Sequence, residues 1–177
     1  MGKGRMIKMN RYTKMVLSSV LMLAGYCSYA QTPTDSLPGD PGAISLSTYQ
    51  NMHFGSFTQG AGGGSILLSN TGTRSSSGTV TLLNLGILYY HAIFEIEAPQ
   101  NSLLSITTET STTLSGSNGG TMTLNLGSPS IASPFLTTIP PPGRTQLRIG
   151  GTLSVGNVIS SPPGTYTGSF YITINNE

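Results

Sequence analysis

Lysine is missing from every position beyond Lys14, tryptophan is missing altogether, and Cys27 is the single cysteine. Each gap excludes something. Nucleic-acid surfaces neutralise phosphates with clustered Lys and Arg, and beyond residue 14 the only such residues are Arg74, Arg144 and Arg148. A disulfide framework needs paired cysteines, so none can form within the chain. Acid–base and nucleophilic chemistry draws on His, Asp, Glu, Lys and Cys, and here two histidines and six acids are nearly the whole supply. Serine is plentiful, yet no Gly-x-Ser-x-Gly elbow occurs. The glycine-rich stretch Gly60 to Gly64 lacks the Lys-Ser/Thr ending of a phosphate loop and reads as a mobile hairpin tip or a site of backbone strain relief. These gaps predict a protein that is not an enzyme and carries no cofactor.

The charge that is present is unevenly placed. Lys3, Arg5, Lys8, Arg11 and Lys14 form a basic head, Met15 to Ala24 an apolar run, and Ser28-Tyr29-Ala30 a small-x-small step before Gln31. That order is a secretory leader, with cleavage expected between Ala30 and Gln31. The run is shorter than the ~20 apolar residues a membrane span needs, so no transmembrane anchor is expected in the mature chain. Tyr26 is bulkier than the residue a lipoprotein signal places before its cysteine, which argues against acylation of Cys27. Removing residues 1–30 leaves three arginines against six acids, a net charge of −3. The expected location is therefore outside the cytoplasm: periplasm, outer surface or medium.

Gln31 to Gly42 is polar and rich in Pro and Gly, as in a flexible segment. Residues 43–177 carry no further linker and read as one domain. Their periodicity is two, with Gly, Asn and Pro between the runs. Ile44, Leu46 and Thr48 alternate with Ser45, Ser47 and Tyr49; Ala92, Phe94 and Ile96 oppose His91, Ile93, Glu95 and Glu97; Met122, Leu124 and Leu126 follow a Ser117-Asn118-Gly119-Gly120 turn. Gln146 to Val155 and Tyr166 to Ile174 close the series, the last with Phe170, Ile172 and Ile174 on one face and Thr on the other. About seven to nine such strands, each wet on one side, predict an all-β, immunoglobulin-like antiparallel sandwich. A recurring Gly-Thr-x-Thr/Ser-x step at Gly78, Gly120 and Gly151 is spaced too unevenly for a solenoid and reads as a strand-entry signal.

Met52-His53-Phe54-Gly55-Ser56-Phe57, Gly62-Gly63-Gly64-Ser65-Ile66, Gly72-Thr73-Arg74-Ser75 and Gly164-Thr165-Tyr166-Thr167-Gly168-Ser169-Phe170 together resemble the exported bacterial domain-of-unknown-function family numbered forty-four-oh-two. The resemblance runs from about Ile44 to Asn175. It implies a β-sandwich from a Gram-negative bacterium, similar in pattern to spore-coat-protein-U-like and fimbrial domains, and brings no known activity. A wider similarity to chaperone–usher pilus subunits rests on Gly164 and on the alternating Phe170, Ile172 and Ile174, which are candidates for edge-strand pairing. Asn176 stands where those subunits carry tyrosine, and Thr32 to Pro38 has no alternating apolar run to serve as a donor strand.

The remaining candidate residues have plain readings. His91, Glu95 and Glu97 share a strand face, which reads as solvated, or with His91 capped by a neighbouring group, in preference to a metal site. His53 reads as a strand-edge histidine. Tyr89 and Tyr90 are either an aromatic shelf for sugar or two strand residues facing opposite ways, the second being favoured. Arg144 and Arg148 share a solvated face beside the loop stiffened by Pro140-Pro141-Pro142-Gly143. Asp35-Ser36-Leu37 matches a short O-glycosylation tripeptide at Ser36. Two functions follow as expectations. One is a structural or adhesion-type surface protein, such as a minor appendage subunit, partnered with itself or another surface protein by β-strand addition. The other is a stand-alone glycan- or protein-binding domain. Self-association separates them.

Overall fold

Alternation of Thr/Ser with aliphatic residues is realised as strands in every segment where it occurs. The computed structural model describes residues 42–177. The leader, the Ala30–Gln31 step, Cys27, the Asp35-Ser36-Leu37 tripeptide and nearly all of the Gln31–Gly42 segment lie outside the described residues. The strands are β1 (Ser45–Gln50), β2 (Phe57–Leu68), β3 (Arg74–Leu82), β4 (Ala92–Glu97), β5 (Leu103–Thr108), β6 (Ser111–Gly116), β7 (Thr121–Leu126), β8 (Phe135–Leu136), β9 (Thr145–Ile149), β10 (Gly151–Val155), β11 (Tyr166–Thr167) and β12 (Ile172–Asn176). The described residues contain no helix, so none is long and apolar enough to cross a membrane.

All pairings between strands are antiparallel. They form three sheets with the orders β1-β4-β9, β11-β6-β7-β10-β2-β3 and β12-β5-β8. Twelve strands exceed the seven to nine expected because three extended segments are each divided at a corner between sheets. β5 and β6 are separated by Glu109 and Thr110, β9 and β10 by Gly150 alone, and β11 and β12 by residues 168–171. The last extended segment is therefore not one flat strand. It pairs with β6 at Tyr166↔Gly116, crosses the corner, and pairs with β5 from Ile172↔Thr108 to Asn176↔Leu104. At the crossing, Tyr171 N–H donates to Glu109 Oε2 at 3.2 Å, and Thr112 Oγ1 donates to the Ser169 carbonyl at 2.7 Å. Strands that pass between sheets at bends are how sandwich layers are joined at an angle.

The alternation survives the corner. Leu147, Ile149, Leu153 and Val155 are all buried, the same parity on both sides of Gly150. A Cβ at Gly150 would run into the Leu68 carbonyl, so only glycine lets the crossing segment approach β2. The inner faces bury two apolar clusters. One holds Ile66, Leu68, Val80, Met122, Leu124, Leu153 and Val155 with Phe54. The other holds Ala92, Ile96, Ala98, Leu104, Leu147 and Ile149. Met52, Leu126 and Phe170 pack against both, and the Phe94 and Phe170 rings meet edge to face at 6.1 Å. The described residues belong to one unit, Pro38–Glu177, an antiparallel β-sandwich.

The Gly60–Gly64 stretch is not a hairpin tip. It lies inside β2, where the register jumps from Gln59↔Val80 to Gly64↔Gly78, a wide bulge opposite Thr79. Thr79 Oγ1 closes it by donating to the Gly63 carbonyl at 2.8 Å. Of the three recurring glycines, Gly120 and Gly151 stand at strand starts as expected, while Gly78 lies within β3 at this bulge.

Candidate functional site

The strand edges decide what this surface can do. β1 is the last strand on one side of its sheet, and β11 and β12 are each terminal in theirs. Phe170, Ile172 and Ile174, singled out in the sequence, therefore belong to a segment that is hydrogen-bonded to β5 and β6 on one side, with no strand on the other among the described residues. Their side chains are half-buried against the apolar clusters. β1 is more open still: Ser45 through Tyr49 are exposed on both faces, with Leu46 at 36% and Tyr49 at 65%.

Between these edges the sandwich is open. A cavity of about 510 Å³ is lined by Thr48 of β1, Phe94 of β4, Leu114 and Leu124 of β6 and β7, and the backbone segment from Thr165 to Phe170. A second of about 490 Å³ shares Met52, Phe54, Leu114 and Tyr166 with it and extends toward Leu85, Ile87, Val158 and Pro162. The wall is apolar and the rims are strand edges carrying Ser and Thr. Neither β1 nor the Tyr166–Asn176 segment contains a charged residue or a proline, the two devices that most often block an edge from pairing. Chemically the seam offers strand edges that no other described strand pairs with, beside an apolar floor, which is what an added β-strand uses.

At one end of the seam the β3–β4 connection displays Leu85, Ile87, Leu88, Tyr89 and Tyr90, all exposed, and the loop after β10 adds Val158 and Ile159. Tyr89 and Tyr90 are thus neither buried nor paired in and out along a strand. Tyr90 makes an isolated two-bond bridge with the backbone of His53, both at 2.8 Å, while His53 Nδ1 accepts from Gly55 N–H at 3.0 Å. Arg74 fixes the base of this loop. Its guanidinium donates to the carbonyls of Phe54 at 2.6 Å and Leu83 at 3.3 Å and lies over the Tyr89 ring. On the opposite loop, Asn157 Oδ1 accepts from Ile159 and Ser160 N–H, and buried Ser161 Oγ donates to the Thr121 carbonyl at 2.7 Å while accepting from Gly156 N–H. Tyr166 reaches the same loop through its hydroxyl, which donates to the Pro162 carbonyl at 2.6 Å; burial raises its pKa.

The polar face of β4 is occupied by its own partners. Arg144, just before β9, donates to Glu95 at 3.0 Å and Glu97 at 3.2 Å, and these bonds raise its pKa. Arg148, opposite Ile93, reaches Gln146 Oε1 at 3.4 Å. His91 precedes β4 and packs near Gly72. Both ring nitrogens are shielded from solvent and lack a hydrogen-bond partner, and burial, then the nearby Arg148 charge, lowers its pKa. No group of three His, Cys, Asp or Glu side chains converges among the described residues.

Sequence reasoning singled out Phe170, Ile172 and Ile174 as candidates for edge-strand pairing, and they lie in a segment whose strands, β11 and β12, are terminal in their sheets. It missed Thr48 and Phe94, which complete the seam only through the β1–β4 ladder. It also missed the clamp at Arg74, whose one signal is an isolated cation in the uncharged stretch between Gly42 and Glu95. A family model described as a domain of unknown function (DUF4402) matches residues 44–176. No curated protein and no solved structure matches the chain.

Proposed function

We propose, from the premise that this chain belongs to the DUF4402 family, that it is an exported, non-enzymatic structural or adhesion-type protein of a Gram-negative cell surface, resembling fimbrial subunits, whose sandwich is completed by a β-strand from a partner. The observation that carries this reading is the apolar seam beside two uncharged edges, β1 and Tyr166–Asn176, which have no further strand paired to them among the described residues. A protein living free has reason to protect such edges. The leader-like basic and apolar start supports export, and the scarcity of acid–base groups supports a role without catalysis. Hydrogen exchange on the protein in its native surface fraction tests it. Slow exchange of the outward amides of β1 and β12 there, becoming fast in the isolated chain, is expected. Recovery in the cytoplasm, or fast exchange of both edges in the native fraction, overturns it.

A second reading is favoured by the loop end. Leu85, Ile87, Leu88, Tyr89 and Tyr90 are displayed on a loop held from below by Arg74. Pre-organised apolar and aromatic display is how binding surfaces limit the ordering cost of association. A stand-alone domain gripping a glycan or a protein through this end would melt as a closed monomer and lose its ligand in a Tyr89→Ala, Tyr90→Ala variant. A ligand retained by that variant counts against this reading.

A further inference from the structure

The two rims of the seam run in opposite senses. β1 is antiparallel to β4, and β4 to β9; β9 continues through Gly150 into β10, which is antiparallel to β7, then β6, then β11. Followed around the curled sheet, β1 and the Tyr166–Asn176 segment are therefore antiparallel to each other across the opening. This has a consequence for symmetry. When a second copy faces the first about a two-fold axis parallel to the strands, its β1 falls beside the first copy's last segment, and its last segment beside the first copy's β1. Both encounters are antiparallel. An isologous contact of this kind closes on itself.

We propose that the seam is filled by a second copy of this chain, in a closed two-fold dimer in which β1 of each copy pairs antiparallel with the Tyr166–Asn176 segment of the other. The proposal rests on the strand-addition reading and names its partner. Charge supports it. The two rims are uncharged, so a copy meets no repulsion, whereas of the three other terminal strands β3 carries Arg74, β9 carries Arg148 and β8 is only two residues long. Extent supports it as well. Six residues of β1, the last segment and the Asn51–Phe54 wall together approach the ~20–30 residues a side of a standard interface. Among the Ser, Thr and Asn side chains exposed along the rims stand Leu46, Tyr49 and Tyr171, and aromatic residues are enriched where interfaces bury area.

The test uses the full chain, recovered after export, with cysteines introduced at two exposed rim positions. Ser47→Cys with Tyr171→Cys is expected to give a disulfide-linked dimer on mild oxidation, with each single variant staying uncrosslinked. Thr173→Lys, a charge on the outer edge at an exposed position, is expected to abolish the dimer in light scattering while leaving the melting of the monomer unchanged. Dimers from Ser47→Cys alone overturn the proposal, because they place β1 against β1. Ladders of higher mass overturn it in favour of an open filament. A monomer at every concentration, with the edges still protected in the native surface fraction, overturns the second-copy partner and leaves the strand-addition reading standing with a different protein in the seam.

Discussion

The Arg74 guanidinium lies 4.4 Å from the centroid of the Tyr89 ring. This places one cation between two otherwise uncharged loops and makes it the anchor of the displayed apolar end. Its hydrogen bonds to the Phe54 and Leu83 carbonyls tie the β1–β2 connection to the β3–β4 connection. Hydrogen bonds from a charged donor contribute about 1.5–3 kcal/mol where partly buried, and the ring contact adds about 0.5–1 kcal/mol. Arg74→Met is expected to lower the unfolding free energy by about 2–3 kcal/mol in urea melts. Arg74→Lys is expected to recover less than half of that, because a point ammonium cannot span two carbonyls and a ring face. A variant within error of the parent removes the clamp from the account. By contrast, Arg144→Ala breaks two ion pairs on an exposed side chain and is expected to change stability little, since such pairs are screened by water and salt.

His91 gives the protein an acid-sensitive point. Its ring nitrogens are shielded and unpartnered, and its pKa lies below the usual 6.5 because burial and Arg148 both disfavour the imidazolium. The unfolded chain therefore binds a proton that the folded chain resists. Stability from the neutral ring is fully present above about pH 6.5 and is lost as pH falls from there toward the lowered folded value. The melting temperature is expected to drop between about pH 7.5 and pH 5, and His91→Phe to flatten that slope. Carboxylates titrate lower, so an equal slope in His91→Phe assigns the effect to other groups.

Much of this fold was legible because period-two alternation is a local property. The faces of β4 and β7 read directly from residues such as Ala92, Ile96, Met122 and Leu124, each buried as its parity requires. What alternation cannot encode is where a strand changes sheets. Tyr166 and Ile172 share a parity yet pair in different sheets, because the partner segment bends at Glu109 and the last segment follows it. The glycines of β2 misled for a related reason. A glycine run fits a loop tip and a bulge equally well until Thr79 is seen opposite. The seam itself was half visible. Its last-segment rim carries an apolar alternation, but its β1 rim is a Ser/Thr strand that only the sheet order identifies as an edge.

The bulge makes a paired prediction about glycine. Gly63 has φ 67°, and a Cβ there would collide with the Val155 carbonyl and Gly156. Gly119 has φ 84° and nothing within 4 Å. Gly119→Ala is expected to cost only the left-handed backbone penalty, about 1–2 kcal/mol. Gly63→Ala adds a clash with backbone that cannot rotate away, and is expected to cost several kcal/mol or prevent folding. Equal melting of the two variants means that β10 gives way and the bulge is not held against it.

Phe170, with Met52 and Leu126, joins the two halves of the core. It packs against both apolar clusters, meets Phe94 edge to face at 76°, and lines the seam cavity. Removing a fully buried Phe costs about 3–5 kcal/mol, but this ring is only partly buried and opens onto the seam. Phe170→Ala is therefore expected to cost about 2 kcal/mol, of which the aromatic pair accounts for about 0.5–1.5 kcal/mol. A double-mutant cycle with Phe94→Leu separates that pair from simple burial. The cavity gives the experiment a second readout. A strand added in the seam covers Phe170, so the cost of Phe170→Ala should rise when the melt is run at concentrations where the chain associates. A cost that does not depend on concentration places Phe170 in the monomer's core alone and removes it from the seam's pairing surface.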